Sequence, residues 1–140
     1  MSEALAVKVT SRIAAPAARV FDAWIRPGAI GRWMLAPAPG ELGKIEIDPR
    51  DGGEFCFVVR RGGEDIEHAG VYLVFERPRL LVFTWVVPHY STDLTRVTVE
   101  MTAIGNATQV TLTHDGVAPE YEAATRAGWT AILDAIAAAA

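Results

Sequence analysis

Two hydrophobic periods share this chain, and its available folds follow from where one gives way to the other. Before residue 115 most apolar residues recur at every second position, the sign of half-buried strands; from Pro119 they recur at helical spacing. In that last segment Tyr121, Thr125, Gly128, Trp129, Ile132 and Ile136 share one face, while Glu120, Glu122, Arg126 and Asp134 face away. One long amphipathic helix must bury its stripe, and the only available partner is the apolar face of a sheet. A wide sheet is covered by one helix only if it curls around it. Curling leaves a space between them, and function has to be sought there.

The strands are legible one by one. Val7, Val9, Ser11 and Ile13 alternate with Lys8, Thr10 and Arg12. Pro16 then suits a helix start, with Val20, Phe21, Trp24 and Ile25 at helical spacing. Pro27-Gly28 ends that helix, and a second short one carries Ile30, Trp33 and Met34. Strand patterns follow at Lys44–Asp48, Glu54–Arg60, Ile66–Glu76, Leu80–Val87, Val97–Thr102 and Thr108–His114, separated by turn residues such as Gly62-Gly63 and Gly105-Asn106. Gly70 is expected to mark a bend or bulge in its strand. The expected fold is therefore α+β: a curved antiparallel sheet of about seven strands around a long C-terminal helix, with two short helices after the first strand. No repeat or linker divides the 140 residues, so a single domain over 1–140 is expected.

Composition narrows the function. Hydrophobic residues make up 51% of the chain, enough for a core without staples. Net charge is −4 and the basic residues are dispersed, so the basic stripe of a nucleic-acid binder is missing. The start, Met1-Ser2-Glu3-Ala4-Leu5, has no basic run leading into an apolar one, and no apolar run approaches the ~20 residues of a membrane span. A cytoplasmic protein without a membrane partner is the expectation, consistent with the lone Cys56. His68, His89, His114 and Cys56 lack metal-ligand spacing, so no metal is expected. Gly52-Gly53 and Gly62-Gly63 lack the following helix of a phosphate site, and no cofactor is expected. His89-Tyr90-Ser91-Thr92-Asp93 holds the residue types of a hydrolase triad but reads as a polar loop at the mouth of the space.

The order of elements resembles the START-related helix-grip domains, the SRPBCC superfamily, and within it bacterial single-domain proteins similar to the C-terminal domain of the heat-shock-protein-90 ATPase activator. The residues that carry the resemblance are Pro16 with Val20-Phe21 and Trp24, Trp33 before Pro37, Asp51-Gly52-Gly53-Glu54-Phe55, Gly70-Val71-Tyr72 and Leu81–Trp85. Thr108–His114 and Gly128-Trp129 complete the set. The resemblance implies an internal pocket. Known members include apolar-ligand binders, polyketide cyclases and an antibiotic-sequestering protein, and the fold alone does not choose among them.

Trp33, Phe55, Phe57, Tyr72, Trp85, Met101, His114, Tyr121, Gly128 and Trp129 are the candidate ligand-binding residues. Plain core packing accounts for any one aromatic equally well, but a space framed by aromatics and a few polar groups is the usual form of a small-molecule site. Which face Tyr72 takes is not settled by alternation. Trp33 is a candidate lid. Gly128, costly in a helix by about 1 kcal/mol relative to alanine, either leaves the pocket open or lets the helix pack closely. His114 continues the inward set Val110–Leu112 and is either a pocket-mouth acid or base or a histidine tied down at a strand end.

The leading expectation is a non-enzymatic carrier of a small hydrophobic or aromatic molecule, since no catalytic residues cluster. A polyketide cyclase or aromatase, using His114 and Tyr121, is the enzymatic alternative. The resemblance also offers a chaperone-interaction module. Direct co-chaperone contact is not expected, because activators engage the chaperone through a larger N-terminal domain with no counterpart here. The apolar Leu80–Val87 strand leaves room for a homodimer if its outer face is uncovered.

Overall fold

The computed structural model describes residues Ala4–Ala140. Residues 1–3, part of the segment read above for a leader, lie outside the described residues. Strand β1 (Leu5–Ile13) is followed by helices α1 (Ala17–Ile25) and α2 (Pro27–Met34). Then come β2 (Glu41–Ile47), β3 (Glu54–Arg61), β4 (Glu64–Glu76), β5 (Leu80–Val87), β6 (Ser91–Ile104) and β7 (Ala107–Val117). A 3-10 turn (Pro119–Tyr121) leads into α3 (Glu122–Ala139). The strands form one antiparallel 7-stranded sheet in the order β1-β7-β6-β5-β4-β3-β2, curved around α3 as expected.

The helices begin and end where backbone chemistry says they should. Pro16 caps α1 in an extended conformation, and Pro27 opens α2, where a missing N–H costs nothing. Each helix buries one side: Val20, Phe21 and Trp24 from α1, Ile30, Trp33 and Met34 from α2, and Trp129, Ile132, Leu133 and Ile136 from α3. These meet the inward strand residues Val7, Phe55, Phe57, Leu81, Phe83, Val97, Val99, Val110 and Leu112 in one core. Full burial of each such side chain stabilises the fold by about 2 kcal/mol.

Polar ties set where the helices sit on the sheet. Helix α3 lies along β1 and against α2, and the Arg126 guanidinium donates 2.8 Å to the Lys8 carbonyl, covering part of the β1 edge. Thr108 donates 2.7 Å to the carbonyl of Ala15, holding the β1–α1 turn down onto β7. Arg61 on β3 donates to the Met34 carbonyl at the end of α2 (3.0 Å), and Arg77 grips Asp22 of α1 by two hydrogen bonds of 2.8 and 2.9 Å.

Two expectations change. The polar run from His89 to Asp93 is not a loop: only residues 88–90 turn, and Ser91–Asp93 extend β6, with Ser91 opposite Val87. Its side chains are exposed or half-exposed, so no apolar alternation reports the strand. Gly70 is also not where the register shifts: Ala69 faces Val86 and Tyr72 faces Phe83 in one register, the shift comes between Tyr72 and Val74, and beside Gly70 the Val71 N–H donates to the Thr84 hydroxyl. The reason for glycine is a close approach. A Cβ at Gly70 would strike the Thr84 carbonyl oxygen and lie 2.6 Å from the ring of Phe55, its cross-strand partner. Gly70→Ala should cost about 3 kcal/mol or more, because the obstruction includes backbone and a packed ring. Urea unfolding of the variant measures this; a midpoint equal to that of the parent protein would contradict it.

Candidate functional site

The space between α3 and the sheet is occupied by aromatic rings that contact one another in a closed circuit. Phe55 and Phe57, on the same face of β3 two residues apart, stack with centroids 4.9 Å apart. Phe57 meets the edge of Trp33 at 6.0 Å, Trp33 meets Trp24 at 5.3 Å, and Trp24 meets Trp129 at 6.2 Å. Trp129 meets Trp85 at 5.2 Å, and Trp85 returns to Phe55 at 6.0 Å. Three helices and two strands supply these rings, so no local pattern could have joined them. Offset and edge-on pairs of this kind add about 0.5–1.5 kcal/mol each beyond their burial. Tyr72 extends the circuit through Phe55 at 5.2 Å, which settles its orientation: it faces inward.

One indole in the circuit lacks a partner. The Trp24 N–H is buried with no hydrogen-bond acceptor, a condition that costs about 1–3 kcal/mol. By contrast the Trp33 N–H donates to the Ala23 carbonyl at 2.9 Å, and the ring is only 2% exposed. Trp33 is therefore a fixed part of the core and not a lid. Its hydrogen bond joins consecutive helices and holds the indole in place.

A polar chain braces the other side of the circuit. The Trp129 N–H donates to His114 Nδ1 at 2.9 Å, which places the imidazole proton on Nε2. Nε2 then donates to the Thr95 hydroxyl at 2.7 Å, and that hydroxyl donates to the Trp85 carbonyl at 2.7 Å. Every N–H and O–H donor along the chain is used. Burial pushes His114 down to about 4, so it is neutral at pH 7. Both ring nitrogens being committed, His114 orients Trp129 and has no free lone pair for a base.

The sequence pointed to other positions less well. Met101 is buried on β6 opposite Val110 and belongs to the core without joining the aromatic circuit. Tyr121 does not line the space: it sits on the 3-10 turn, 40% exposed, with its hydroxyl 3.5 Å from the Tyr90 carbonyl. The helical face drawn through it fails because the α-helical turn begins one residue later. Gly128 is half-buried, about 100° around the helix from Trp129, on the side away from the Arg126 contact with β1. A Cβ there would meet nothing within 4 Å, so close packing is not the reason for the glycine.

Trp24 and His68 were not among the candidate residues. Trp24 was legible only as part of a helical stripe, and nothing in a stripe shows an unpaired N–H. His68 alternates with charged residues on β4 but is 7% exposed, 5.5 Å from Trp85, with Nδ1 3.2 Å from the carbonyl of its cross-strand partner Phe57. Burial pushes it down to about 4 as well, with nearby Arg61 adding to the effect.

These two imidazoles make stability depend on pH. Unfolded, each takes up a proton near 6.5; folded, neither does until about 4. Between those values the unfolded chain binds more protons, so stability is complete above pH 6.5 and falls as pH drops toward 4. The full loss is about 3 kcal/mol per histidine. By pH 5 about 2 kcal/mol of this per histidine is lost, so urea midpoints at pH 7.5 and pH 5 should differ, and His114→Gln, which keeps an acceptor for Trp129, should reduce the difference. Equal midpoints in the parent protein would refute this.

Comparison with known proteins places this geometry. The sequence profile of the family described as Activator of Hsp90 ATPase homolog 1-like protein matches residues 14–140. Among proteins of curated function none matches. The solved structure of the protein of unknown function SA2116 from Staphylococcus aureus superposes with a TM-score of 0.84 at 18% identity, covering 96% of this chain and 92% of that one. The Mll3558 protein from Rhizobium loti gives 0.83 at 20% identity over 99% and 98% of the two chains. CalU16 from Micromonospora echinospora gives 0.70 at 22% identity over 97% and 83%. At these identities the structures share a fold, and the sequence match supplies the family. The chain belongs to the Activator of Hsp90 ATPase homolog 1-like family, with the helix-grip fold of the START-related superfamily.

Proposed function

We propose that the protein binds one small, flat, apolar or aromatic molecule within the grip, as a carrier or sequestering protein. The observation that carries this reading is the closed aromatic circuit with the unpaired Trp24 N–H on it. These rings now pair with one another, so a planar guest would enter by parting one pair and taking a ring's place at the spacing that aromatic pairs prefer. A carbonyl or hydroxyl oxygen on the guest would satisfy the orphan donor, regaining what its burial costs. Gly128 supplies the entry side: α3 carries no side chain there, next to Trp129, whose ring meets the half-buried Trp85. The family match favours one further reading, stimulation of a chaperone ATPase. An ATPase rate unchanged by added protein would remove it.

A thermal-shift screen with planar polyketides, naphthols and lipids, followed by tryptophan-fluorescence titration, tests the leading reading. Gly128→Leu should abolish binding of any ligand found. Its stability should be unchanged or raised by up to about 1 kcal/mol, because the helix gains propensity and a Cβ there has open space around it. Trp24→Phe should weaken ligands bearing an oxygen acceptor by about tenfold and leave hydrocarbon ligands nearly unaffected. Parent-level affinity in the Gly128→Leu protein would defeat the proposal.

A further inference from the structure

A groove lies outside the grip, where α1, α2 and the last turns of α3 meet. It encloses about 410 Å³, within the range of small-molecule sites. Ala23, Ala29, Trp33, Ala135, Ile136 and Ala139 give it an apolar lining, while Arg19, Arg26 and Arg32 line it as well. Asp22 is the acidic side chain among the lining residues, and it is already gripped by Arg77 through two hydrogen bonds. Arg26 reaches the same carboxylate at 3.2 Å. Arg19 and Arg32 have no acidic partner among the described residues. This cationic cluster stands on a chain of net charge −4, so it is local placement and not overall composition.

Guanidinium groups gathered beside an apolar groove repel one another and are relieved by an anion that brings its own apolar body. Arginine matches a carboxylate by paired N–H donors, and alanine walls leave room for an alkyl chain without competing side chains. We propose that this groove binds a single-chain carboxylate amphiphile taken from solution, with its hydrocarbon tail along the alanine walls and its carboxylate on Arg19 and Arg32. The site goes beyond the aromatic one and uses different residues, apart from Trp33, which borders both.

Isothermal titration with laurate below its micellar concentration tests this. Binding should be observed, dodecanol should bind at least tenfold more weakly, and Arg19→Gln combined with Arg32→Gln should weaken laurate at least tenfold. Both arginines are exposed, so folding should survive, as circular dichroism would verify. Ala139→Trp, which fills the groove from an exposed helix end, should abolish binding, whereas Gly128→Leu should leave it intact. Loss in Gly128→Leu with retention in Ala139→Trp would place laurate in the aromatic circuit and overturn the proposal. Equal affinity for laurate and dodecanol, insensitivity to the arginine substitutions, or binding only to anionic vesicles would overturn it too.

Discussion

The position of Trp129 is the constraint on which the rest of the structure depends. Its ring touches Trp24 of α1 and Trp85 of β5, and its N–H is held by His114 of β7. A helix lying on a sheet can slide and roll at little cost if only apolar contacts hold it, since those are non-directional. The hydrogen bond to His114 removes that freedom. It sets the rotation of α3, which decides that Ile132, Leu133 and Ile136 go inward and that Gly128 lies on the flank.

The same bond governs the chemistry inside. His114 can accept from Trp129 only while Nδ1 carries no proton, so the interior is organised around a neutral imidazole. Thr95 and the Trp85 carbonyl complete that order, leaving no dangling group on this side of the circuit. On the other side the Trp24 N–H is left unsatisfied. A protein interior that satisfies one polar chain fully and leaves one indole unpaired has an asymmetry that packing alone does not require.

Much of this was legible from the residues. Alternation and turn chemistry located nearly every strand, and the period change at Pro119 located the long helix, because both signals are local. The inward direction of His114 followed from strand alternation with Val110 and Leu112, while Phe55, Phe57 and Trp85 stood out as aromatics. Gly70 was legible as special but not in its cause, since the atoms that exclude a Cβ belong to β3 and β5. Tyr121 was misplaced because it ends a 3-10 turn whose geometry shifts its face, and periodicity over a whole segment averages over such a shift. His68 was passed over because it lies in a strand whose neighbours Glu67 and Asp65 are charged and exposed.

Sequence by itself determined the fold class, the order of the elements, the family and the residue types that would fill the interior. Hydrophobic period and backbone-specific residues act within a few positions, and a linear chain displays them directly. Tertiary structure alone decided which aromatics join, that the Trp24 N–H lacks a partner, that His114 is neutral and spent on Trp129, and that three arginines share a groove. These are relations between residues as much as 105 positions apart, as Trp24 and Trp129 are. They depend on distances that exist only once the helix has been gripped, so a one-dimensional pattern carries no record of them.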